Sequence, residues 1–283
     1  MKTNRSYNKM KMIRKTTIYG VLGFFGIAYL IPLFWMITTS LKPDSQIMTI
    51  PMQWFPKPPQ WRNYIEAVRA FPFFRYLGNT VFLTAVNILG NIFTASLVAY
   101  SFSKLKWKGR DILFYITIAT MFIPGQVLII PVYIVFSKLG WVNTYLPLIA
   151  PALLGGGAFN IFLLRQFFVS IPDELLECAR IDGASEFKIF LKIVLPMSKP
   201  ALFTVALFTI VFTWNDFFGP LIYLHDPAKW TLAIGLRSFQ QQYHTNWNLL
   251  MAASTLTALP LIIMYFVAQN KVMRGFSMRA GIK

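Results

Sequence analysis

Uncharged runs long enough to cross a bilayer, separated by short charged segments, set the rhythm of this chain. Lys15 and Lys42 bracket 26 uncharged residues, Arg75 and Lys104 bracket 28, Asp111 and Lys138 bracket 26, and Lys138 and Arg165 another 26. Each exceeds the roughly 20 apolar residues that a spanning helix needs, so four helices follow directly. A fifth apolar run, about Pro200 to Leu224, is interrupted only by Asp216, and a sixth extends from about Leu249 to Gln269 ahead of Lys271. The pattern predicts an all-α, polytopic membrane protein with six transmembrane helices, forming a single domain over residues 1–283.

Composition agrees with that class. Hydrophobic residues make up 56% of the chain and charged residues 13%, outside the range of ordinary soluble domains. Lys and Arg are unevenly placed. With a cytoplasmic N-terminus the inner segments hold 19 of the 27 and the outer segments 8, a positive-inside bias that puts both termini in the cytoplasm. The basic N-terminus is then residues 1–16, the first external loop 41–76, a cytoplasmic loop 170–200, the last external loop 225–248 and the cytoplasmic tail 271–283. A net charge of +17 could suggest nucleic acid. These basic residues sit in short loops beside apolar spans, however, where topology and contact with anionic membrane lipid account for them, so no nucleic-acid partner is expected. The first run is too long for a signal peptide, and Thr38-Thr39-Ser40-Leu41 lacks a small-x-small cleavage site, so an uncleaved first helix is expected. Cys178 is the single cysteine, which excludes an internal disulfide.

Half of the ten carboxylates, Asp173, Glu174, Glu177, Asp182 and Glu186, fall within fourteen residues between two of the uncharged runs. Pro172 presets φ for a helix start, Asp173 and Glu174 favour the positive end of its dipole, and Gly183 ends it. Ser185-Glu186-Phe187-Lys188 starts a second helix, with Phe187, Phe190, Leu191 and Val194 expected opposite Lys188 and Lys192 until Pro196 interrupts it. Two short helices lying across the membrane surface are the expectation. Their acids read either as a docking surface or as the solvated face of a loop.

Glu177-Cys178-Ala179, three residues, Gly183, nine residues, Ile193, one residue, then Leu195 and Pro196 keep every spacing of the EAA signature. The loop thus resembles that of permease subunits in ATP-binding-cassette importers, with Cys178 where that family usually has alanine. Trp214-Asn215-Asp216, Trp230-Thr231-Leu232, Gly235-Leu236, and Gln269 with Gly275, Gly281 and Lys283 look like the carbohydrate branch, especially the maltose-type second permease subunit. The resemblance implies a type I importer permease fold in a bacterial plasma (inner) membrane. It implies a second permease subunit as heterodimer partner, two copies of a cytoplasmic ATPase, an external solute-binding protein and a carbohydrate substrate, an oligosaccharide above all. It further implies that Glu174, Glu177, Cys178, Ala179, Asp182, Gly183, Ile193, Leu195 and Pro196 form the ATPase-docking loop, with Glu177 in a charge-assisted contact. The segment Trp230 to Trp247, including Tyr243, would meet the binding protein. The tail from Gly275 to Lys283 would reach toward the ATPase pair, although it lacks the usual final glycine.

No Gly-x4-Gly-Lys-Ser/Thr phosphate loop is present, so ATP and magnesium are expected on the partner ATPase and no cofactor, metal or catalytic residue on this chain. His225 and His244 lack the Cys or carboxylate spacing of a metal site. Gly155-Gly156-Gly157 reads as a close helix approach or a helix break. A bare Asp216 in lipid would cost about 2.5 to 3.5 kcal/mol. It should therefore line a translocation path, or else make a hydrogen-bonded link to a neighbouring helix or sit near the outer interface. Asn87 and Asn91, with Thr84 and Thr94 near the same face, and Asn215 carry the same two readings. Pro124, Pro131, Pro147 and Pro151 mark kinks or helix ends. Trp54, Trp61, Phe71 and Phe73 in the first outer loop, and Trp230, Tyr243 and Trp247 in the last, suit interfacial belts. The rival readings are a secondary transporter or channel uncoupled from any ATPase, which a lone embedded acid favours poorly, and a membrane scaffold.

Overall fold

The computed structural model describes residues 2–240 and 245–280, and the side chains between residues 11 and 267 of that range apart from Ile13. Tyr243, His244, Gly281 and Lys283 lie outside the described residues. In chain order the α-helices are α1 (Lys2–Ser40), α2 (Arg62–Arg69), α3 (Phe73–Lys104), α4 (Arg110–Ala119), α5 (Gly125–Lys138), α6 (Leu146–Leu154), α7 (Ala158–Val169), α8 (Asp173–Ile181), α9 (Glu186–Ile189), α10 (Leu195–Met197), α11 (Lys199–Asn215), α12 (Phe218–Tyr223), α13 (Leu232–Leu236) and α14 (Trp247–Ala280). The described residues contain no strand beyond an isolated bridge between Gln240 and Thr245. Among the described residues four segments are long and apolar enough to cross a membrane: Arg14–Ser40, Phe73–Lys104, Leu146–Val169 and Trp247–Val267. Two bent pairs bring the candidate spans to between four and six.

A proline lies behind the first bend and behind a break in the fifth run, while the second bent pair, Glu186–Met197 with Lys199–Asn215, turns by 78° between Met197 and Lys199. α4 and α5 belong to a pair bent by 105°, because Pro124 pushes Ile123 before it into extended backbone (φ −81°, ψ 116°) and cannot donate to a continuing ladder. The fifth run likewise fails to form the single helix expected of it. α11 stops at Asn215, and Asp216 turns extended (φ −67°, ψ 113°). Pro220 lies four residues on, and in a continuous helix its ring would clash with the Asp216 carbonyl.

The chain divides into two compact units. The first comprises Met1–Phe71 and Ser238–Ala258. The end of α1 needs outside donors, because the last carbonyls of a helix have no partner within it. Asn63 of α2 supplies them, its Nδ2 donating to the Ser40 carbonyl at 2.8 Å and the Lys42 carbonyl at 2.9 Å. Lys42 is fully buried, with its ammonium 3.8 Å from the centre of the Trp35 ring. Burial holds that amine below the usual lysine range. Trp54 and Trp61 are exposed as a belt requires, but Phe71 is buried edge-on against Phe239, so the belt is narrower than the sequence suggests.

The second unit comprises Pro72–Arg237 and Leu259–Lys283. α3 runs through its middle, packing on α6, α7, α11 and α13. Phe73 is buried at its start, which removes a second residue from the expected belt. Between helices in lipid the hydrophobic effect gives little, so close approach through small residues carries the packing. Ala95 and Ala99 of α3, with Ala201 of α11, occupy the buried seam beside Leu164 and Phe168 of α7. The glycine run between α6 and α7 is a break and a close approach at once. Gly156 sits at φ +69°, and a Cβ there would lie 2.5 Å from that of Ala95. Thr94 of α3 donates to the Ala152 carbonyl at 2.7 Å, satisfying one of the groups that the end of α6 leaves open.

Candidate functional site

The acidic loop forms the helices its residues call for. Pro172 is extended at the start of α8, with Asp173 and Glu174 in the first turn. Gly183 takes φ +78° just beyond the last turn, where only a left-handed residue continues the chain. Ser185 caps α9, its hydroxyl accepting from the Lys188 N–H at 3.3 Å. Leu176 and Ala179 face inward, and Glu174, Glu177, Cys178 and Asp182 are exposed.

The second helix departs from expectation in two ways. Ile189, Phe190 and Val194 form the fully buried face, while Phe187 and Leu191 are exposed. Pro196 does not interrupt the chain. A π-helical segment over Phe190–Val194 widens the turn ahead of it, relieving the clash between its ring and the carbonyl four residues back, and the helix continues through Met197. Ile193 and Leu195 are half-buried, and Pro196 is exposed.

The five acids have separate fates. Lys104, at the C-terminal end of α3, donates from its ammonium to Asp173 Oδ1 at 2.6 Å and to the Ile171 carbonyl at 2.5 Å. That hydrogen bond holds the Asp173 carboxyl below the usual carboxylate range. Glu186 accepts from Arg180 Nε at 2.7 Å, and the Tyr100 hydroxyl donates to its other oxygen. The remaining three, Glu174, Glu177 and Asp182, are exposed and make no ion pair among the described residues. Sequence reasoning missed Tyr100 and Lys104. The available signal was their spacing of four on the last turns of α3.

A cavity of about 580 Å³ lies beside the break after α11, lined by residues that include Leu83, Asn87, Leu148, Phe212, Asn215 and Asp216. Asn87 is buried and donates to the Leu83 carbonyl within its own helix at 2.9 Å. Asn215 similarly donates to Val211 O at 2.8 Å. Asp216 Oδ1 accepts from the Gly219 N–H at 3.0 Å, the geometry of a cap on α12. Asn91 is not among the lining residues; its amide reaches Thr209 of α11 at 3.0 Å, a link between helices. The structure thus brings Asn87, Asn215 and Asp216 to one cavity and places Asn91 elsewhere.

Near its N-terminal end α3 holds the segment that precedes α13. Asn79 Nδ2 donates to the carbonyls of Ala228 at 3.0 Å and Trp230 at 2.8 Å, and the Leu232 N–H donates to Thr80 Oγ1 at 3.0 Å. Trp230 is half-buried, with its indole N–H on Leu224 O at 3.1 Å. Asn143, at φ 62°, ties the same loop through its side chain to the N–H groups of His225 and Asp226. Lys229 reaches the Asn143 carbonyl at 2.6 Å. Sequence reading passed over Asn143, although asparagine tolerates the left-handed backbone such a turn needs. Trp247 is half-buried at the start of α14.

An all-helical chain with four to six candidate spans among the described residues, and an acid-bearing helix between two of them, has the make-up of a polytopic membrane component. The chain belongs to the family of binding-protein-dependent transport system inner membrane components, whose pattern matches residues 91–277. It is accordingly a multi-pass inner-membrane protein. It is 32% identical to the probable ABC transporter permease protein YurM of Bacillus subtilis, over 94% of this chain and 88% of that one. It is also 32% identical to the arabinooligosaccharides transport system permease protein AraQ of Halalkalibacterium halodurans, over 93% and 95%. Its fold matches a chain from the crystal structure of a bacterial ABC transporter that imports the acidic polysaccharide alginate, with a TM-score of 0.78 at 24% identity, covering 91% of this chain and 96% of that one.

Proposed function

We propose that this chain is one of two different transmembrane subunits of an ATP-binding-cassette importer that carries a carbohydrate, an oligosaccharide above all, into the cytoplasm. The bent pair of α4 and α5 counts as one span in this reading, as does α11 beyond the acidic helices, giving six spans with both termini inside, in keeping with the 19-to-8 division of Lys and Arg. The observation that carries it is the acidic loop. Asp173 and Glu186 are held by α3 and Arg180, so α8 is anchored on its buried side and offers Glu174, Glu177 and Asp182 to a cationic cleft on a separate ATPase. Closure of two ATPases would pull on these helices and rock the pair of permease subunits between outward- and inward-facing states. The outer loop from Trp230 to Trp247 would receive the loaded solute-binding protein, and the cavity beside Asn87, Asn215 and Asp216 would offer passing sugar hydroxyls a carboxylate and amides. The relatives that transport arabinooligosaccharides support the substrate class.

The test is ATP hydrolysis by the whole assembly, purified with the chains encoded beside it and reconstituted in lipid. Hydrolysis stimulated by sugar-loaded binding protein is the expected result. Uptake that persists without ATP and collapses with the ion gradient would overturn the proposal in favour of a secondary transporter.

A further inference from the structure

α3 is held at both ends to the two loops that the proposed function turns toward partners. Its outer end grips the last outer loop through Asn79 and Thr80, and its inner end grips the acidic helices through Tyr100 and Lys104. The Lys104 side chain is only 3% exposed although its partner Asp173 is 71% exposed, so the cation is built into the helix packing and not free to follow the loop. Tyr100 adds a ring contact to Phe190 at 5.4 Å, fixing α9 and the π-helical segment to the same face. Between the two grips runs one unbroken helix. Of the three helices longer than 30 residues, α1 contains Pro32 and α14 contains Pro260, whereas α3 contains no proline. From Asn79 to Tyr100 it covers about 30 Å, the thickness of the hydrocarbon core.

We propose that α3 is a connecting rod, with Tyr100 and Lys104 at one end and Asn79 and Thr80 at the other acting as positioning residues that make the ATPase-docking helices and the outer loop move as one body. This rests on the importer reading above. A displacement of α8 is then delivered to the segment Ala228–Trp230, and seating of a partner on that segment is delivered back to α8, because coupling between two sites is reciprocal. A helix without a hinge carries such a displacement, whereas the bent pairs of this chain would absorb it.

Two variants open the rod at opposite ends. Tyr100→Phe with Lys104→Met removes the inner grip, and Asn79→Ala with Thr80→Ala removes the outer one; all four replacements suit a helix. In the reconstituted assembly each should still co-purify with the ATPase. Each should lower binding-protein stimulation of ATP hydrolysis, and sugar delivered per ATP, by about tenfold. Because the two ends act in series, the combined variant should fall no further than the worse of the two. Lys104→Arg should retain coupling. Multiplied losses in the combined variant, or unchanged sugar per ATP in either single one, would overturn the rod while leaving the importer standing. An assembly in which no ATPase co-purifies with the unaltered chain would overturn both.

Discussion

Two breaks in the helical pattern hold acids, and they treat them in opposite ways. The break after α11 has one, Asp216, which turns inward to cap α12 at the edge of a cavity. The loop between α7 and α11 has five. It uses two to fasten itself to α3 and Arg180 and leaves three in the open. The lesson is that a carboxylate in a membrane protein earns a role from its surroundings. At a lone break it satisfies the backbone, and in a crowd the surplus beyond structural need is what a partner can read.

The comparison can be broken at either break. Glu177→Arg should have the largest effect. Reversing a charge-assisted contact removes about 1.5 to 3 kcal/mol, up to roughly a hundredfold in docking, so uptake should vanish while the protein still inserts. Normal uptake with an intact ATPase complex would remove Glu177 from the docking surface. Gly156→Ala comes next. Left-handed backbone and a Cβ at 2.5 Å from that of Ala95 together should cost about 2 to 4 kcal/mol, read as a lowered melting temperature in detergent. Gly157→Ala, also at positive φ (φ 77°, ψ 141°) but with only the Asn160 amide at 3.9 Å, should cost about 1 to 3 kcal/mol.

Smaller effects sharpen the account of the inward acid. Asp216→Leu should lose the cap, about 0.5 to 2 kcal/mol, while Asp216→Asn keeps an acceptor and most of the stability. If Asn loses as much as Leu, the charge itself matters and the capping role is secondary. Asn91→Leu breaks the bond to Thr209 and should cost about 0.6 kcal/mol, a typical value for a polar link between membrane helices. The pH dependence is the most modest. With its folded pKa depressed by Lys104, Asp173 contributes stability that is complete above the ordinary value of 3.8 and fades as pH falls through the lower folded value. Lys104, Lys106 and Arg180 are the cations that face the group. Thermal stability should therefore be flat in this contribution from pH 7 to about 5, and the loss in acid should shrink in Asp173→Asn.

Much of this was legible from local patterning. The uncharged runs located the apolar segments, and Pro172, Gly183 and Ser185 marked helix ends that depend only on nearby backbone chemistry. The spacing from Glu177 to Pro196 gave the family, because a long pattern with fixed gaps is hard to meet by accident. What stayed hidden depends on contacts distant in sequence. Which two acids Lys104 and Tyr100 would hold depends on how α3 packs against the loop, and Ile189 replaced Phe187 in the buried face for the same reason. The fifth run looks continuous by hydropathy alone, because the break depends on the four-residue distance from Asp216 to Pro220. Asn87 and Asn91 looked alike from their spacing, and only the position of α11 separates the cavity residue from the link.

Cys178 offers the most direct test of the central claim, that a separate ATPase grips α8. It is the single cysteine of the chain, exposed, and next to Glu177. The measurement is its rate of thiol labelling in inside-out membranes that contain the whole assembly, compared with membranes from cells lacking the ATPase. The account predicts strong protection when the ATPase is present, and a thiol-to-amine cross-linker that joins the two chains. Equal labelling with and without the ATPase, and no cross-linked product, would contradict it.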